Sequence, residues 1–438
     1  YLHSENRLTS IKSKEDNIFK DISFVEATEK LKSKIEELKN PDIKFIVGPN
    51  STNEEYFVIN KFANLMNRNE FLSKDKSNVY FSDDHVFNGY FGEGYENAAF
   101  EDLDNSDAIV VWSEDIKGNI PVLFLRLKKA VKNGVKLVVL GHTNTSLESL
   151  ADLYLGEEVI SNNFELKTNL GNIKEFQNII ENKKVTAIIG KSTPIQQKKS
   201  LDMLVDHLQK HSQAKFLNCF TKANTFGALQ QIDQIKGLNE FCNEYLESNS
   251  NIVFTIGANP VNGSYFSSNI QDILKKADYV VSLDIFINET TELADLIFPT
   301  TSYGEKEGTM TNMEMRVLKQ NKILPDPGSV LSEWEYLIMV AKSLGKEINF
   351  DNTYEINKAL CAELGNENLV PSFDNLNKPS NLFGIISNKE IDINITDLEQ
   401  KDLSMLMVKR LYGDSSTQIN SPSISMLGSE RFIELNSN

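Results

Sequence analysis

The sequence predicts an α/β protein with two lobes, each built on a parallel sheet. The first observation is the stretch 251–320, in which the apolar strand IVFTIG precedes a tight turn, a helix and a second apolar strand, YVVSLD. Strand, loop, helix and strand in this order make one turn of a parallel sheet. The second observation is an imperfect copy of this pattern at 107–155. Two such units indicate paired halves with a shared ligand cleft, or with the remnant of one.

Both copies also close on the same four residues, Leu-Ala-Asp-Leu, at 150–153 and 293–296. Any two strand–helix–strand units look alike, because each needs the same elements. Shared elements alone therefore do not establish a duplication. The four-residue match lies outside those obligatory elements, and it favours an internal repeat.

The length, charge and hydropathy of the chain limit the classes of protein to which it can belong. The chain has 438 residues and a mass of 49.5 kDa, enough for two or three domains. It begins at Tyr1 rather than Met, so we expect a fragment or a processed chain. A net charge of −17 disfavours binding to nucleic acid or to an anionic lipid surface. No stretch approaches the roughly 18 apolar residues that a membrane-spanning helix needs.

We expect no metal site in this sequence. The three cysteines, Cys219, Cys242 and Cys361, are too widely spaced for a zinc or iron–sulfur motif. Reduced thiols of this kind are typical of the cytosol. His85 follows two aspartates, an arrangement more typical of a solvated loop than of a metal site.

Three elements are predicted near the N-terminus. The amphipathic period of 24–39 indicates a helix, and KFIVG at 44–48 indicates a core strand. A polar turn then caps a helix at 53–66. Residues 1–20 are polar, and we expect them to be disordered or to lie along a neighbouring chain.

These elements suggest a division of the chain. The N-terminal segment and its helix take residues 1–40. The first α/β lobe is expected to comprise 41–156 and 250–345. An inserted α/β segment at 185–249 is assigned to the second lobe. Residues 350–438 form a divergent C-terminal region that the sequence defines poorly.

Four motifs follow one another in the second unit and just after it. In order they comprise Gly257, Asn259, Pro260 and Gly263 after one strand, Glu289 and Thr290 after the next, Glu305, Gly308, Thr309, Asn312 and Arg316 in a loop, and a helix opened by Trp334. Their order and spacing resemble the molybdopterin oxidoreductase family.

This resemblance implies two Rossmann-like parallel-sheet lobes of the molybdopterin oxidoreductase (formate dehydrogenase-like) type. In active members of the family, two pterin dinucleotides lie in the cleft between the lobes, and the motif residues would be cofactor-binding. Within the family the sequence is most similar to the large G subunit of bacterial NADH-quinone oxidoreductase (complex I). The likeness rests on IVGP at 46–49 and on the Glu-Lys-Glu-Gly-Thr string at 305–309, which is typical of that subunit.

The first unit argues against a bound cofactor. Where a diphosphate needs backbone N–H groups and cations, the chain has Ser113, Glu114 and Asp115, with only Lys117 to offset two carboxylates. The stretch 141–144 (GHTN) lacks the acidic and basic residues that active members carry after the next strand. We therefore expect an empty, vestigial cleft without molybdopterin, in which the motif residues have structural roles and none is catalytic.

The resemblance then implies a cofactor-free scaffold region of a complex I G subunit, a subunit whose iron–sulfur clusters carry electrons towards quinone. Those clusters would lie in an N-terminal part that this chain lacks. Its partners would be other subunits of the peripheral arm, on the cytoplasmic face of the bacterial inner membrane. The alternative is the large subunit of an active, formate dehydrogenase-like molybdopterin oxidoreductase, which would contain molybdenum or tungsten and a guanine dinucleotide.

Overall fold

The structure is a computed structural model in which the chain forms two α/β lobes. It describes residues 1–39, 41–67, 78–82, 95–112, 116–140, 146–155, 170–190, 198–220, 222–233, 235–245, 251–262, 267–364 and 416–426. The expected α/β class is confirmed by the mixture of parallel strands and covering helices.

The described elements are as follows in chain order. The strands are β1 (Lys12–Glu15), β2 (Ile18–Asp21), β3 (Asp42–Val47), β4 (Val79–Phe81), β5 (Ala108–Trp112), β6 (Lys136–Leu140), β7 (Leu153–Leu155), β8 (Lys184–Ile189), β9 (Gln213–Asn218), β10 (Asn251–Ile256), β11 (Tyr279–Asp284), β12 (Leu296–Pro299), β13 (Gly308–Thr311) and β14 (Val317–Gln320). The helices are Phe24–Leu38, Asn53–Met66, Phe100–Asn105, Ile116–Asn119, Pro121–Lys132, Leu170–Ile180, Lys198–His211, Thr225–Gln231, Leu238–Tyr245, Ser267–Lys276, Glu333–Ser343, Thr353–Glu363, Ser416–Ile419 and Pro422–Ser425.

The first lobe is built on a seven-stranded sheet with the order β2-β1-β12-β11-β10-β3-β4. The five strands from β12 to β4 run parallel, whereas β1 pairs antiparallel with β12 and β2 pairs antiparallel with β1. The register places Phe254 of β10 between Phe45 and Val281. Apolar side chains from both faces of this sheet are buried in separate clusters, as expected for parallel strands covered by helices on both sides.

The second lobe is built on a five-stranded sheet with the order β7-β6-β5-β8-β9, in which every pair is parallel. β5 lies at its centre, with Val110 between Val138 and Ala187. Along the chain this lobe is inserted into the first lobe, between β4 and β10. Its own two clusters of buried side chains cover the two faces of the sheet.

The sheets divide the chain differently from the division expected from the sequence. The strands within 107–156 were grouped with the first lobe, but they join the sheet of β8 and β9. A strand–helix–strand pattern does not specify which sheet its strands join, so the repeat could not show to which lobe the strands within 107–156 belong. Residues 222–245 were grouped with the second lobe, yet Phe226 and Ile232 are buried in the same cluster as Phe45 of the first lobe.

The N-terminal segment belongs to the first lobe and is not the disordered or neighbour-bound tail that its polarity suggested. β1 extends the sheet beside β12, and Leu8 and Ile11 are buried. Arg7 is also buried, and it donates from Nη1 at 3.1 Å and from Nη2 at 2.8 Å to the carboxylate of Glu305. This bidentate ion pair attaches the segment to the loop that precedes β13.

The helix Asn53–Met66 has the bounds that the sequence predicted. Thr52 and Glu55 exchange hydrogen bonds in a capping box at its start. The helices Glu333–Ser343 and Thr353–Glu363 pack against it. Part of the region expected to be divergent therefore contributes a helix to the core of the first lobe.

Replacing Arg7 is expected to destabilise the first lobe. The Arg7→Met substitution leaves the Glu305 carboxylate buried without its cation, which costs about 3–5 kcal/mol of unfolding free energy. Replacing both residues by Met removes the charge as well, so the double variant recovers most of that loss. Urea unfolding of the full chain at neutral pH measures both effects.

Lys12→Met is the matched control, because Lys12 lies in the same segment and pairs with Asp21 at the surface. Exposed pairs of this kind contribute at most about 1 kcal/mol. Equal unfolding midpoints for Arg7→Met and Lys12→Met would contradict the importance of the buried pair.

Candidate functional site

The strand order of the first lobe reverses between β3 and β10, where open parallel sheets typically form a ligand crevice. From β3 the chain continues to β4 on one side, and from β10 it continues to β11 on the other. The loops that leave these two strands therefore diverge at the carboxyl edge of the sheet, where open parallel sheets bind ligands. Gly48 follows β3 and Gly257 follows β10. We take this crevice as the candidate functional site.

The two loops approach each other closely at these glycines. The Gly48 amide donates to the Ile256 carbonyl at 2.8 Å. A Cβ atom on Gly48 would lie 1.7 Å from the carbonyl oxygen of Gly257. Gly257 itself has φ of 56°, a left-handed conformation that costs glycine little. Both positions therefore require glycine, one for space and one for conformation.

Two of the predicted motifs come together at this edge. Asn259 Oδ1 accepts hydrogen bonds from the Thr290 hydroxyl at 2.7 Å and from the Thr290 amide at 3.2 Å. Asn259 Nδ2 donates to one carboxylate oxygen of Glu289 at 2.8 Å, and Asn262 Nδ2 donates to the other at 3.0 Å. Pro260 is buried, whereas Glu289 is exposed. The Gly-x-Asn-Pro turn is therefore tied to the loop after β11.

The Gly308-Thr309 pair covers the first turn of the helix Asn53–Met66. Thr309 donates to the Glu54 carboxylate from its amide at 2.7 Å and from its hydroxyl at 2.9 Å. Asn357 Nδ2 adds a third hydrogen bond to Glu54 at 2.7 Å. A Cβ atom on Gly308 would lie 2.6 Å from Glu54 Oε2, so the glycine allows this approach. Burial raises the pKa of Glu54 in spite of these hydrogen bonds.

A buried lysine joins two acids on the inner side of the crevice. Lys306 Nζ lies 2.7 Å from Glu55 Oε2 and 2.8 Å from Glu333 Oε2, and none of the three side chains is more than 5% exposed. Glu333 Oε1 lies 3.6 Å from the position that a Cβ atom on Gly257 would occupy. We call these three residues the Glu55–Lys306–Glu333 group, and its Glu333 side chain lies beside the Gly257 turn.

The two acids of this group have pKa values that are shifted in opposite directions. Burial, and then the charge of Glu55, raise the pKa of Glu333 well above its ordinary value. Burial alone would raise the pKa of Glu55 too, but Lys306 and the hydrogen bonds to Glu55 lower it instead. Burial by itself would lower the pKa of Lys306, but the two carboxyl groups raise it, so that the side chain stays an ammonium. The arrangement favours one ammonium, one carboxylate and one carboxylic acid.

Asn312 and Arg316 lie at the tip of the β13–β14 hairpin, where it meets the second lobe. Asn312 Oδ1 accepts from the amides of Glu314 at 3.0 Å and Arg316 at 2.9 Å, which closes the turn. Arg316 Nη2 lies 3.4 Å from Glu101 Oε1, and Glu314 Oε1 accepts from the Phe100 amide at 2.8 Å. These two predicted site residues therefore lie at a contact between the lobes.

Sequence reasoning missed Lys306, Glu333 and Asp284. Asp284 ends β11 and accepts hydrogen bonds from the Ile285 amide at 2.6 Å and from Asn288 Nδ2 at 2.9 Å, and burial raises its pKa to about 6. A carboxylate that directly follows an apolar strand is a signal that could have identified Asp284. No local pattern marks the other two, because a charged residue in a polar loop, such as Lys306, or in the first turn of a helix, such as Glu333, carries no sign of burial.

Several expectations fall outside the described residues. They concern His85, Ser113, Glu114, Asp115, the stretch 141–144 and Gly263. The acidic turn expected in the second lobe therefore stays a prediction. Within the described ranges, no group of three or more His, Cys, Asp or Glu side chains is placed to hold a metal. None of the described helices is long and apolar enough to cross a membrane.

This chain belongs to the molybdopterin oxidoreductase family, whose model matches residues 7–343. It is 21% identical, over 82% of its length, to the F420-dependent formate dehydrogenase subunit alpha of Methanocaldococcus jannaschii, and it spans 64% of that protein. A stretch covering 23% of the chain is 37% identical to 14% of the assimilatory nitrate reductase catalytic subunit of Bacillus subtilis. Acetylene hydratase from Pelobacter acetylenicus shares the fold, with a TM-score of 0.60 and 14% identity over 82% of this chain and 65% of that one.

The expectation that the cleft holds no molybdopterin was wrong. It rested on the acidic turn at 113–115 and on the lack of charged residues at 141–144, both outside the described ranges, whereas the family match extends across both lobes. The similar proteins are named as formate dehydrogenase and nitrate reductase subunits. These names support a formate dehydrogenase-like protein and do not single out a complex I G subunit. The expected fold, two lobes of the molybdopterin oxidoreductase type, is confirmed.

The described residues of the crevice fit a group of this kind. Gly257, in its left-handed conformation, starts the turn that carries Asn259, and a Cβ atom built on it would face Glu333 Oε1 at 3.6 Å. Asn259 is half-buried and Glu289 is exposed, so both can meet a ligand. An exposed carboxylate accepts hydrogen bonds from amino groups such as those of a pterin or a guanine.

Because the two glycines are in close contact, a single methyl group added at Gly48 is expected to reduce the stability of the fold. Gly48→Ala is expected to lower the unfolding free energy by about 1–3 kcal/mol, because the new Cβ overlaps the Gly257 carbonyl and the loops must move apart. Thermal or urea unfolding of the full chain measures this loss.

Gly134→Ala provides the comparison. Gly134 has φ of +100° but nothing within 4 Å of a Cβ atom, so the substitution adds only backbone strain, about 1 kcal/mol. The account of the crevice is mistaken if Gly48→Ala proves no less stable than Gly134→Ala.

Proposed function

We propose that this chain is part of the large subunit of a formate dehydrogenase-like, molybdopterin-dependent oxidoreductase. The observation that carries the proposal is the crevice at Gly48 and Gly257, set in a twin-lobed chain that matches the family over 7–343. The relative named as a formate dehydrogenase supports formate, a small anion, as the substrate. The chain spans 64% of that relative's length, so the activity of the whole protein is part of the proposal.

Gly257, Asn259 and Glu289 would hold the molybdopterin group at the first lobe. When bound, this group supplies the redox centre that exchanges electrons with the substrate. Gly257 gives the turn its left-handed conformation, which a side chain would strain. Thr290 fixes Asn259 by two hydrogen bonds, so the turn has its shape before a ligand binds. Glu289, oriented by the amides of Asn259 and Asn262, accepts hydrogen bonds from amino groups.

A partner protein and further redox centres complete the proposal. The relative from Methanocaldococcus jannaschii is named as a subunit alpha, which supports assembly of this chain with at least one other. Electrons taken from the substrate need an acceptor. We propose that iron–sulfur clusters, held by other parts of the same assembly, provide it.

A second candidate is a region of a complex I G subunit. The observation that favours it is the burial of Glu305, Lys306 and Thr309 in the Glu-Lys-Glu-Gly-Thr string at 305–309, which is typical of that subunit. Glu305 pairs with Arg7, and Lys306 pairs with two acids, so the string connects three elements of the lobe as a scaffold. The partners would then be other subunits of the peripheral arm, on the cytoplasmic face of the inner membrane.

Elemental and cofactor analysis tests the proposal. The full-length protein, purified with its partners, is expected to contain a stoichiometric amount of molybdenum or tungsten, measured by mass spectrometry. Oxidative release is expected to yield a fluorescent pterin, and formate is expected to reduce a viologen dye. Background levels of both metal and pterin in an intact assembly would refute the proposal. NADH-quinone oxidoreductase activity in that assembly would support the second candidate.

The role of the Gly257 turn is tested by substitution. Gly257→Val places a branched side chain at a left-handed position of the crevice, so the pterin content is expected to fall about tenfold, which corresponds to roughly 1.4 kcal/mol of binding free energy. Gly134→Val is the control, because Gly134 also has a positive φ but lies in the second lobe with open space around it. Equal pterin content in the two variants would show that Gly257 is not part of the binding site.

A further inference from the structure

The Glu55–Lys306–Glu333 group joins three separate elements of the first lobe. Glu55 lies in the first turn of the helix Asn53–Met66, and Glu333 is the first residue of the helix Glu333–Ser343. Lys306 lies in the loop before β13. The two helix starts are therefore held together by one buried ammonium, at 2.7 Å and 2.8 Å.

The group has one acid too many for a single cation. Two carboxylates beside one ammonium leave an uncompensated negative charge inside the lobe, which burial disfavours strongly. Glu55 Oε1 is buried and has no hydrogen-bond partner among the described residues. The carboxyl groups of Glu55 and Glu333 lie within hydrogen-bonding reach of each other. A proton on Glu333 removes the excess charge and gives Glu55 its missing donor.

We propose that Glu55, Lys306 and Glu333 form a clamp that carries one exchangeable proton and positions the Gly257 turn of the crevice. Loss of the proton adds a second negative charge, separates the two carboxylates and shifts Glu333 relative to the turn. These are positioning residues, because Glu333 Oε1 lies beside the turn, 3.6 Å from where a Cβ atom on Gly257 would be. The proposal goes beyond the proposed function, since it concerns the lobe without a ligand.

The other charged groups around the clamp have partners of their own. Glu54 accepts three hydrogen bonds from Thr309 and Asn357, and Glu305 is paired with Arg7. On the helix that carries Glu333, the Glu335 carboxylate accepts from the Ser332 amide at 2.8 Å. The pKa of Glu54 is raised as well, so its titration contributes to the pH dependence of stability. That contribution is common to the wild-type chain and to a Glu333 variant, so it cancels when the two are compared.

The first experiment compares the wild-type chain with Glu333→Gln. Glutamine has the shape of a protonated glutamate, and it can accept from Lys306 and donate to Glu55 without a proton to lose. The pKa of Glu333 is raised in the folded state. Its favourable contribution is therefore complete below its unfolded pKa, about 4.5, and is lost as pH rises through the folded value.

The ratio of the wild-type to the Glu333→Gln unfolding constant is therefore expected to rise with pH above the unfolded pKa, by up to about tenfold per pH unit, until the pH reaches the folded pKa. Urea unfolding at each pH measures this ratio on the full chain. A ratio that stays constant over this range would show that Glu333 holds no extra proton and would overturn the proposal.

The second experiment tests whether the clamp positions the turn. Lys306→Met removes the cation between the acids, and native-state hydrogen exchange is followed at the amides of Gly48 and Gly257, which are bonded to β10 and β11. Their protection is expected to fall at least about tenfold. The amide of Val138, in the second lobe, is expected to keep its protection.

Lys136→Met is the control, because Lys136 pairs with Asp152 at the surface of the second lobe. It is expected to leave Gly48 and Gly257 protected as in the wild-type chain. Glu333→Gln keeps the shape of the clamp and provides the folded variant if Lys306→Met does not fold. Its protection at Gly257 is expected to fall less between pH 5 and pH 7 than that of the wild-type chain. Two results would overturn the positioning role. One is that the amides of Gly48 and Gly257 keep their protection in Lys306→Met. The other is that protection at Gly257 falls with pH in Glu333→Gln as much as it does in the wild-type chain.

Discussion

The first lobe depends on how buried charge is compensated at the start of the helix Asn53–Met66. Glu54 and Glu55 are both about 1% exposed, and each is held by groups that are distant in sequence. Lys306 neutralises one of them, and Thr309 donates twice to the other. Buried carboxylates are tolerated only when they are paired or hydrogen-bonded. The loop 300–311 must therefore lie on this helix, and its position fixes the inner wall of the crevice.

Much of the fold could be predicted from the sequence because its signals are local. The helix Asn53–Met66 is defined by its capping residues and its apolar period, and β10 and β11 are defined by apolar runs. The repeat predicted two lobes correctly, but it assigned β5 to the wrong sheet. β5 pairs with β8, a strand 70 to 80 residues further along the chain, and the sequence of β5 itself contains no signal for that pairing. Arg7 and Glu305, separated by 298 positions, show the same limit.

The candidate site was predictable to the extent that its residues follow strands. Gly257, Asn259, Glu289 and Thr290 come together because the loops after β10 and β11 share one edge of the sheet. Arg316 belongs to the same string of motifs, yet it lies at the contact between the lobes, since the hairpin that carries it extends away from the sheet.

The error over the cofactor has a physical cause. The exclusion required Glu114 and Asp115 to be charged and to face a phosphate, and the effect of an acid depends on its partners and on its protonation. Glu289 lies beside the candidate site with both oxygens bound by amides, and Glu333 lies beneath it in an environment that favours the neutral acid. An excess of acidic residues is therefore weak grounds for excluding an anionic ligand.

The most direct measurement is a density map of the full-length protein purified with its partners, determined by electron cryomicroscopy. Our account predicts ligand density against the backbone of Gly257 and beside Asn259, with Lys306 still between Glu55 and Glu333 below it. A crevice filled by the protein's own side chains, with no ligand at the Gly257 turn, would contradict it.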